Sequence, residues 1–310
     1  MLEKLVVVIP TAGRAQLLRR TLESLADCTM PGCYCETIVV ENGPRADARS
    51  VVSSFQDKLR TRYLHVEKAN KSNALNVAIA ELDDRCLVYF TDDDVRLSTN
   101  VLATYAEAAR EMDGGVFLGG ATGVDYDEPP PEWLRPFLPS DARPFTRQDF
   151  EKGSRYLVFL GFNWAAFVGD IRAAGGFDSR FGPGGTSGSI GQESDMQQRL
   201  LGAGVEPQFV AQAKVWHYVP LQRCSPQWIA NRHYRFGILD AITRRQRPQN
   251  RLRLPVWHWR RVARQGFHYL ITRVHPNIAT RFDAKLKLYC EMGMARGAWL
   301  LARKQNSDSA

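Results

Sequence analysis

Along the first hundred residues, short unbroken apolar runs alternate with stretches whose apolar positions recur every three or four residues. Runs at 5–10, 37–40, 63–66 and 86–90 have the length of buried strands. Between them, Leu17, Leu18, Leu22 and Leu25 predict a helix over 15–26, and a second helix is expected over 47–59. Ala74, Leu75, Ala78, Ile79 and Leu82 share one face of a third helix over 72–82. Strand and helix alternate throughout this region. The order predicts an α/β fold with a doubly wound, mainly parallel sheet flanked by helices, whose ligand crevice lies at the carboxyl ends of the strands. Three strands end there in polar motifs: Pro10-Thr11-Ala12-Gly13-Arg14, Glu41-Asn42-Gly43 and Thr91-Asp92-Asp93-Asp94.

Further on the pattern loosens. A buried strand is expected within 156–168 despite Asn163, a helix begins around Met196, and 209–216 alternates like a strand. Prolines crowd 127–150, which reads as an irregular insertion, and the glycine-rich 182–191 reads as a lid loop. Ser225 as cap and Pro226 at the first helical position announce a helix to about Thr243. Residues 305–310 read as unstructured. The expected division is a domain over 1–220, in two halves that meet at about 98, followed by a basic helical extension over 221–310.

Composition fits a globular protein of 310 residues, 44% hydrophobic and 24% charged. No stretch approaches the ~20 apolar residues that a membrane span needs. The first residues read as a strand rather than a secretion signal, which makes a cytoplasmic location the expectation. Six scattered cysteines fit no common zinc spacing and are expected to be reduced thiols. Charge is uneven. Residues 221–310 hold 18 Lys and Arg against 4 Asp and Glu, a net of +14; the whole chain is +8, so the first 220 residues carry −6. Trp257 and Trp259 stand among the arginines of this basic part, a mixture that suits an anionic membrane surface at the inner face of a membrane. Nucleic acid would also match the charge, but it gives the ordered motifs of the body no role.

Three consecutive carboxylates after a buried strand repel one another unless a cation or donors neutralise them. Mg²⁺ or Mn²⁺ held by one or two carboxylates and a substrate's phosphates is the natural partner. A histidine at a strand end, His217, suits the same ion. Glu193 and Asp195, at a helix start, are candidate bases. A metal-dependent sugar-nucleotide phosphohydrolase is a rival use of the same acids.

Four motifs in order, Ile9 to Arg14, Val39 to Gly43, Asn70-Lys71-Ser72-Asn73-Ala74-Leu75-Asn76 and Thr91 to Val95, resemble the nucleotide-binding half of family 2 glycosyltransferases with the GT-A fold. The likeness continues through Gly175-Gly176-Phe177-Asp178 and Gly191 to Met196 as far as His217. It implies an inverting hexosyltransferase that takes a UDP-sugar donor and a glycan or lipid-linked acceptor, with Mn²⁺ or Mg²⁺. On the donor side it implies Pro10, Thr11, Arg14, Glu41, Asn70, Lys71, Asn76, Asp92 and Asp93. Glu41 stands where the family usually has an Asp on the pyrimidine. For the metal the resemblance implies Asp94 and Asp92, the outer acids of a DxD motif, with His217. Glu193 occupies the usual base position and Asp195 matches a second acid supporting the acceptor site, with Gln192 and Glu193 replacing the family's Glu-Asp pair.

Overall fold

The computed structural model describes residues 2–153, 158–187, 190–243 and 256–307. In chain order the elements are β1 (Leu5–Thr11), α1 (Ala15–Ala26), β2 (Tyr34–Asn42), α2 (Ala48–Ser53), α3 (Gln56–Leu59), β3 (Thr61–Val66), α4 (Lys71–Ala80), β4 (Leu87–Phe90), β5 (Val95–Leu97), α5 (Val101–Ala108), β6 (Val116–Tyr126), α6 (Arg147–Lys152), β7 (Trp164–Phe167), α7 (Val168–Ala173), α8 (Gln192–Gly202), β8 (Glu206–Val219), α9 (Pro226–Thr243), α10 (Val256–Thr272) and α11 (Ile278–Ser307). The strands form one eight-stranded sheet in the order β3-β2-β1-β4-β7-β6-β8-β5. β3, β2, β1 and β4 pair in parallel, whereas β7 runs antiparallel to β4 and β6, and β5 antiparallel to β8. The expected α/β fold is present.

Every residue of β1 and β4 is buried, because helices cover both faces of this part of the sheet. α1 lays Leu18, Leu22 and Leu25 on the core. The predicted helix over 47–59 is two short ones, because Phe55 turns into the core between them and Arg60 ends the second in a left-handed conformation, φ 44°. Within the run expected as one strand over 156–168, residues 154–157 lie outside the described ones, β7 is only Trp164–Phe167, and Val168 already starts α7. Asn163 is fully buried just before β7. Its Nδ2 donates to the carbonyls of Ala121 and Ala213, both at 2.9 Å, and its Oδ1 accepts from Tyr105 Oη at 2.9 Å. The polar break in the apolar run is thus a clasp between β6 and β8.

The chain divides into two compact units. The first comprises Met1–Asp125, Ser140–Ser179 and Gln192–Tyr218, and the second Tyr126–Pro139, Arg180–Gly191 and Val219–Ala310. Two segments read from the sequence as part of the half from about 98 to 220 therefore group with the C-terminal helices. In the second unit Phe181, from the glycine-rich segment, packs with Ile238, Leu239 and Ile242 of α9; Gly188 and Ser189 of that segment lie outside the described residues. Trp133 and Phe137 set their rings edge-on to Phe282 of α11. α9 starts as predicted, with Ser225 Oγ accepting from Trp228 N at 3.2 Å. α11 extends through Ser307, so 305–307 are helical rather than unstructured, and residues 308–310 lie outside the described ones. No helix among the described residues is long and apolar enough to cross a membrane, and no disulfide joins the cysteines.

Candidate active site

The site lies in the first unit, at the carboxyl ends of β1 and β4. β1 ends in Thr11, and Gly13 at φ 64° turns the chain so that α1 can begin after Arg14. β4 ends at Phe90 and delivers Asp92, Asp93 and Asp94, which the structure shares between two cations, Arg14 for Asp93 and Asp94 and Lys71 for Asp92. Asp93 is fully buried, accepts from Thr11 Oγ1 at 2.5 Å and is forked by the Arg14 guanidinium. Burial pushes its carboxyl up to about 7, although Arg14 opposes the shift. Arg14 Nη1 also reaches Asp94 Oδ2 at 2.7 Å. Burial works against the guanidinium's charge, but Asp93, Asp94 and Asp92 hold it above the ordinary arginine value.

Asp92 turns the other way, to Lys71 Nζ at 2.7 Å. The same ammonium donates to Glu193 Oε1 at 2.9 Å. Burial disfavours a charged Lys71, yet the two carboxylates together hold it above the usual lysine value. Asp92 is raised by burial, with Lys71 opposing. α4 begins at Lys71 because Asn70 caps it, Oδ1 accepting from Asn73 N at 2.9 Å, while Asn70 Nδ2 ties that turn to Ser179 O at 2.8 Å. α8 begins at Gln192, which is itself buried and donates from Nε2 to Glu193 Oε1 at 2.6 Å. Oε1 therefore accepts two hydrogen bonds, from Lys71 and from Gln192. Gly161 lies directly against this carboxylate: a Cβ there would come within 2.3 Å of Glu193 Cδ and Oε1.

His217 is placed by register. β5 pairs antiparallel with β8 so that Val95 faces His217, and Tyr218 N donates to Asp94 O at 2.8 Å. The ring stacks on Phe162, with centroids 4.7 Å apart, and its Nδ1 lies 2.7 Å from the Asp141 carbonyl. A carbonyl only accepts, so Nδ1 carries the proton, and in the neutral ring Nε2 and Asp94 Oδ1, 3.3 Å away, are both acceptors. An imidazole nitrogen facing a carboxylate oxygen is a donor pair that fits Mn²⁺ or Mg²⁺ when a diphosphate supplies further oxygens. Among the described residues no three His, Cys, Asp or Glu side chains are close enough to share an ion. The expected set is split: Asp94 and His217 are together and Asp92 is on Lys71.

The remaining candidates take these places. Pro10 sits buried in the β1 ladder opposite Val40. Glu41 is fully buried, its Oε1 accepting from Ala46 N at 3.0 Å and its Oε2 from Tyr63 Oη at 2.5 Å. Asn76 spends both ends of its amide on the backbone of Phe177, each bond 2.8 Å, which clamps the Gly175-Gly176 turn to α4. Asp195 is ion-paired with Arg199, at 2.8 Å from Nη2, and Arg199 also donates to Ala174 O. Sequence reasoning missed the parts played by Gln192, Gly161, Phe162 and the Asp141 carbonyl. Only Gln192 left a signal, as a departure inside a motif.

Comparison with known proteins bears on the family and the fold. The glycosyl transferase family 2 model matches residues 6–173. Validoxylamine A glucosyltransferase of Streptomyces hygroscopicus subsp. jinggangensis (strain 5008) is 31% identical over 226 residues, covering 64% of this chain and 51% of that protein. The chain thus spans about half the length of this relative. Among solved structures, the mannosyltransferase PcManGT from Pyrobaculum calidifontis, in complex with GDP-Man and Mn²⁺, superposes with a TM-score of 0.60 at 16% identity over 96% of this chain and 87% of its own. S. aureus TarS 1–349 in complex with UDP-GlcNAc gives 0.53 at 15% identity over 98% of this chain and 92% of its own. Both neighbours share the GT-A fold. With its motifs, its sheet and more than half its length accounted for, the chain belongs to glycosyl transferase family 2.

Proposed function

We propose that this enzyme moves a sugar from a nucleoside diphosphate, with uridine as the expected base, to a hydroxyl of a glycan or lipid-linked acceptor, inverting the anomeric carbon. The observation that carries the reading is the lysine bridge. One largely buried ammonium, that of Lys71, joins Asp92 on the donor side to Glu193, the candidate base.

Glu193 Oε2 takes the acceptor's proton as the acceptor oxygen bonds to the anomeric carbon. The bond from that carbon to the diphosphate breaks on the opposite face, and its electron pair leaves with the nucleoside diphosphate. One displacement with one base inverts the centre. Lys71 and Arg14 present charge to the leaving phosphates, where fixed donors are worth most. Asp94 and His217 would hold Mn²⁺ or Mg²⁺ beside Asp92, and a bound ion supplies neutralisation of the leaving diphosphate. Asp195, bound to Arg199, braces the start of α8, which leaves Glu193 as the preferred base.

The test incubates the enzyme with UDP- and GDP-sugars, with Mn²⁺, Mg²⁺ or chelator, and with and without glycan acceptors. The proposal expects nucleoside diphosphate release that needs both ion and acceptor, and a product with the inverted anomeric proton coupling. Release that ignores the acceptor would make the enzyme a sugar-nucleotide hydrolase.

A further inference from the structure

Eleven large apolar side chains stand exposed among the described residues, and seven of them fall between Trp257 and Ile278. Such clustering marks an interaction surface, since scattered exposed leucines are ordinary. On α10 they share one side. At about 100° per residue, Trp259, Ala263, Phe267, Leu270 and Ile271 fall within an arc of roughly 120°. Phe267 is 67% exposed, Leu270 61% and Ile271 56%, and Val274, just beyond the helix, 89%. The opposite side is the packed one: His258 and Thr272 are buried there, and Arg261 pairs with Glu291 of α11 at 2.6 Å.

Charge selects the occupant. Exposed Arg260 falls on the same arc and exposed Arg264 just beyond its edge, exposed Arg273 follows it, and the sequence has no acid from 241 to 282. A second copy laid stripe to stripe would set these arginines against their own counterparts with nothing to neutralise them. Nucleic acid would satisfy the arginines but leave the aliphatic side chains in water. A bilayer with anionic headgroups meets both demands, with apolar side chains entering the acyl boundary and guanidinium groups staying among phosphates. We propose that the outer face of α10, centred on Phe267 and Leu270 and edged by Arg260 and Arg264, docks the enzyme on an anionic lipid surface. This placement stands apart from the sugar-transfer reading and uses none of its residues.

The full-length enzyme is co-sedimented with vesicles of phosphatidylcholine alone and of phosphatidylcholine with phosphatidylglycerol. Binding is expected only to the anionic vesicles, weakening but not vanishing as salt rises. The triple variant Phe267→Ser, Leu270→Ser, Ile271→Ser should partition about 10²-fold less. Arg260→Gln with Arg264→Gln should lose the preference for anionic lipid. In the unaltered enzyme, brominated lipid should quench tryptophan fluorescence, a readout that needs no variant. Equal binding of wild type and triple variant, or no binding to either vesicle, overturns the proposal. So does a lipid-free dimer in sedimentation velocity that the triple variant dissolves, which would give the stripe to a second copy. Nucleic-acid binding with a steep salt dependence that survives in the triple variant, without vesicle binding, would give the arginines to another partner.

Discussion

Replacing Gly161 with alanine tests the base without touching it. The backbone at Gly161 does not require glycine's left-handed freedom, so the substitution adds one methyl group and little else. That methyl carbon would sit 2.3 Å from Glu193 Cδ and Oε1 and 2.4 Å from Cγ. Ordinary carbon contacts are about 3.5 Å, so the carboxylate must retreat by roughly 1 Å. It can do so, because it is the end of a flexible side chain, and the retreat takes it off Lys71 and Gln192, now at 2.9 and 2.6 Å. Folding should therefore change little, with a midpoint shift of a few degrees. A misplacement of this size costs a base about 10²-fold in rate, or about 2.7 kcal/mol. The assay is kcat and KM for sugar transfer beside donor affinity by calorimetry. We expect kcat to fall with donor affinity kept. An unchanged kcat would refute the placement of Glu193 at the reacting hydroxyl, and lost donor affinity with kcat kept would move that carboxylate to donor binding.

Other outcomes follow from the same geometry. Glu193→Gln should lower kcat by about 10² to 10⁴-fold, whereas Asp195→Asn should chiefly loosen the Arg199 brace and lower the melting temperature; the reverse pattern in paired kinetics and thermal scans would make Asp195 the base. Asp94→Ala should abolish the part of nucleotide diphosphate binding that depends on Mn²⁺, measured by calorimetry with and without chelator. Asn163→Ala should destabilise the fold by about 2–4 kcal/mol in urea unfolding, since it takes the amide donor from the carbonyls of Ala121 and Ala213, while the Tyr105 hydroxyl keeps the backbone carbonyl of residue 163. Asp93 gives a pH signature in the ligand-free protein. Its folded value, about 7, lies above its unfolded one of 3.8, so the native state binds more protons between them and this carboxyl's contribution to stability declines as pH rises from 4 to 7. Asp93→Asn should remove that decline, read as the difference between the two proteins' stability profiles; parallel profiles would mean Asp93 is ionised throughout.

What the chain disclosed in advance depended on how local the cause was. α1 and α9 start where expected because Arg14-Ala15 and Ser225-Pro226 set them within a few residues. The four parallel strands followed from apolar runs that need no partner to be recognised. The clamp made by Asn76 stayed hidden for the opposite reason: its residue type suits a nucleotide, and its partner in the fold is the backbone of Phe177, about a hundred positions away. The Gly161 contact with Glu193 left no trace in spacing or composition, since a glycine kept for want of room looks like one kept for a turn. The carboxylate triad was legible as a charge problem, while its solution, one cation shared by Asp93 and Asp94 and another for Asp92, required Arg14 to arrive from the turn before α1 and Lys71 from the start of α4.

The three-rung ladder between β5 and β8 also bears on how the enzyme comes into being. His217 reaches Asp94 only through that pairing, and more than a hundred residues separate the two strands. During synthesis the parallel strands and their helices emerge first and can assemble while the histidine is still unmade. A ribosome-bound chain stalled before 206 would therefore hold a donor crevice lacking its ring nitrogen. On the proposed reading, competence for the ion would arrive late and abruptly, when β8 zips onto β5, and a slip of one residue there would bring Trp216 or Tyr218 to the carboxylate instead.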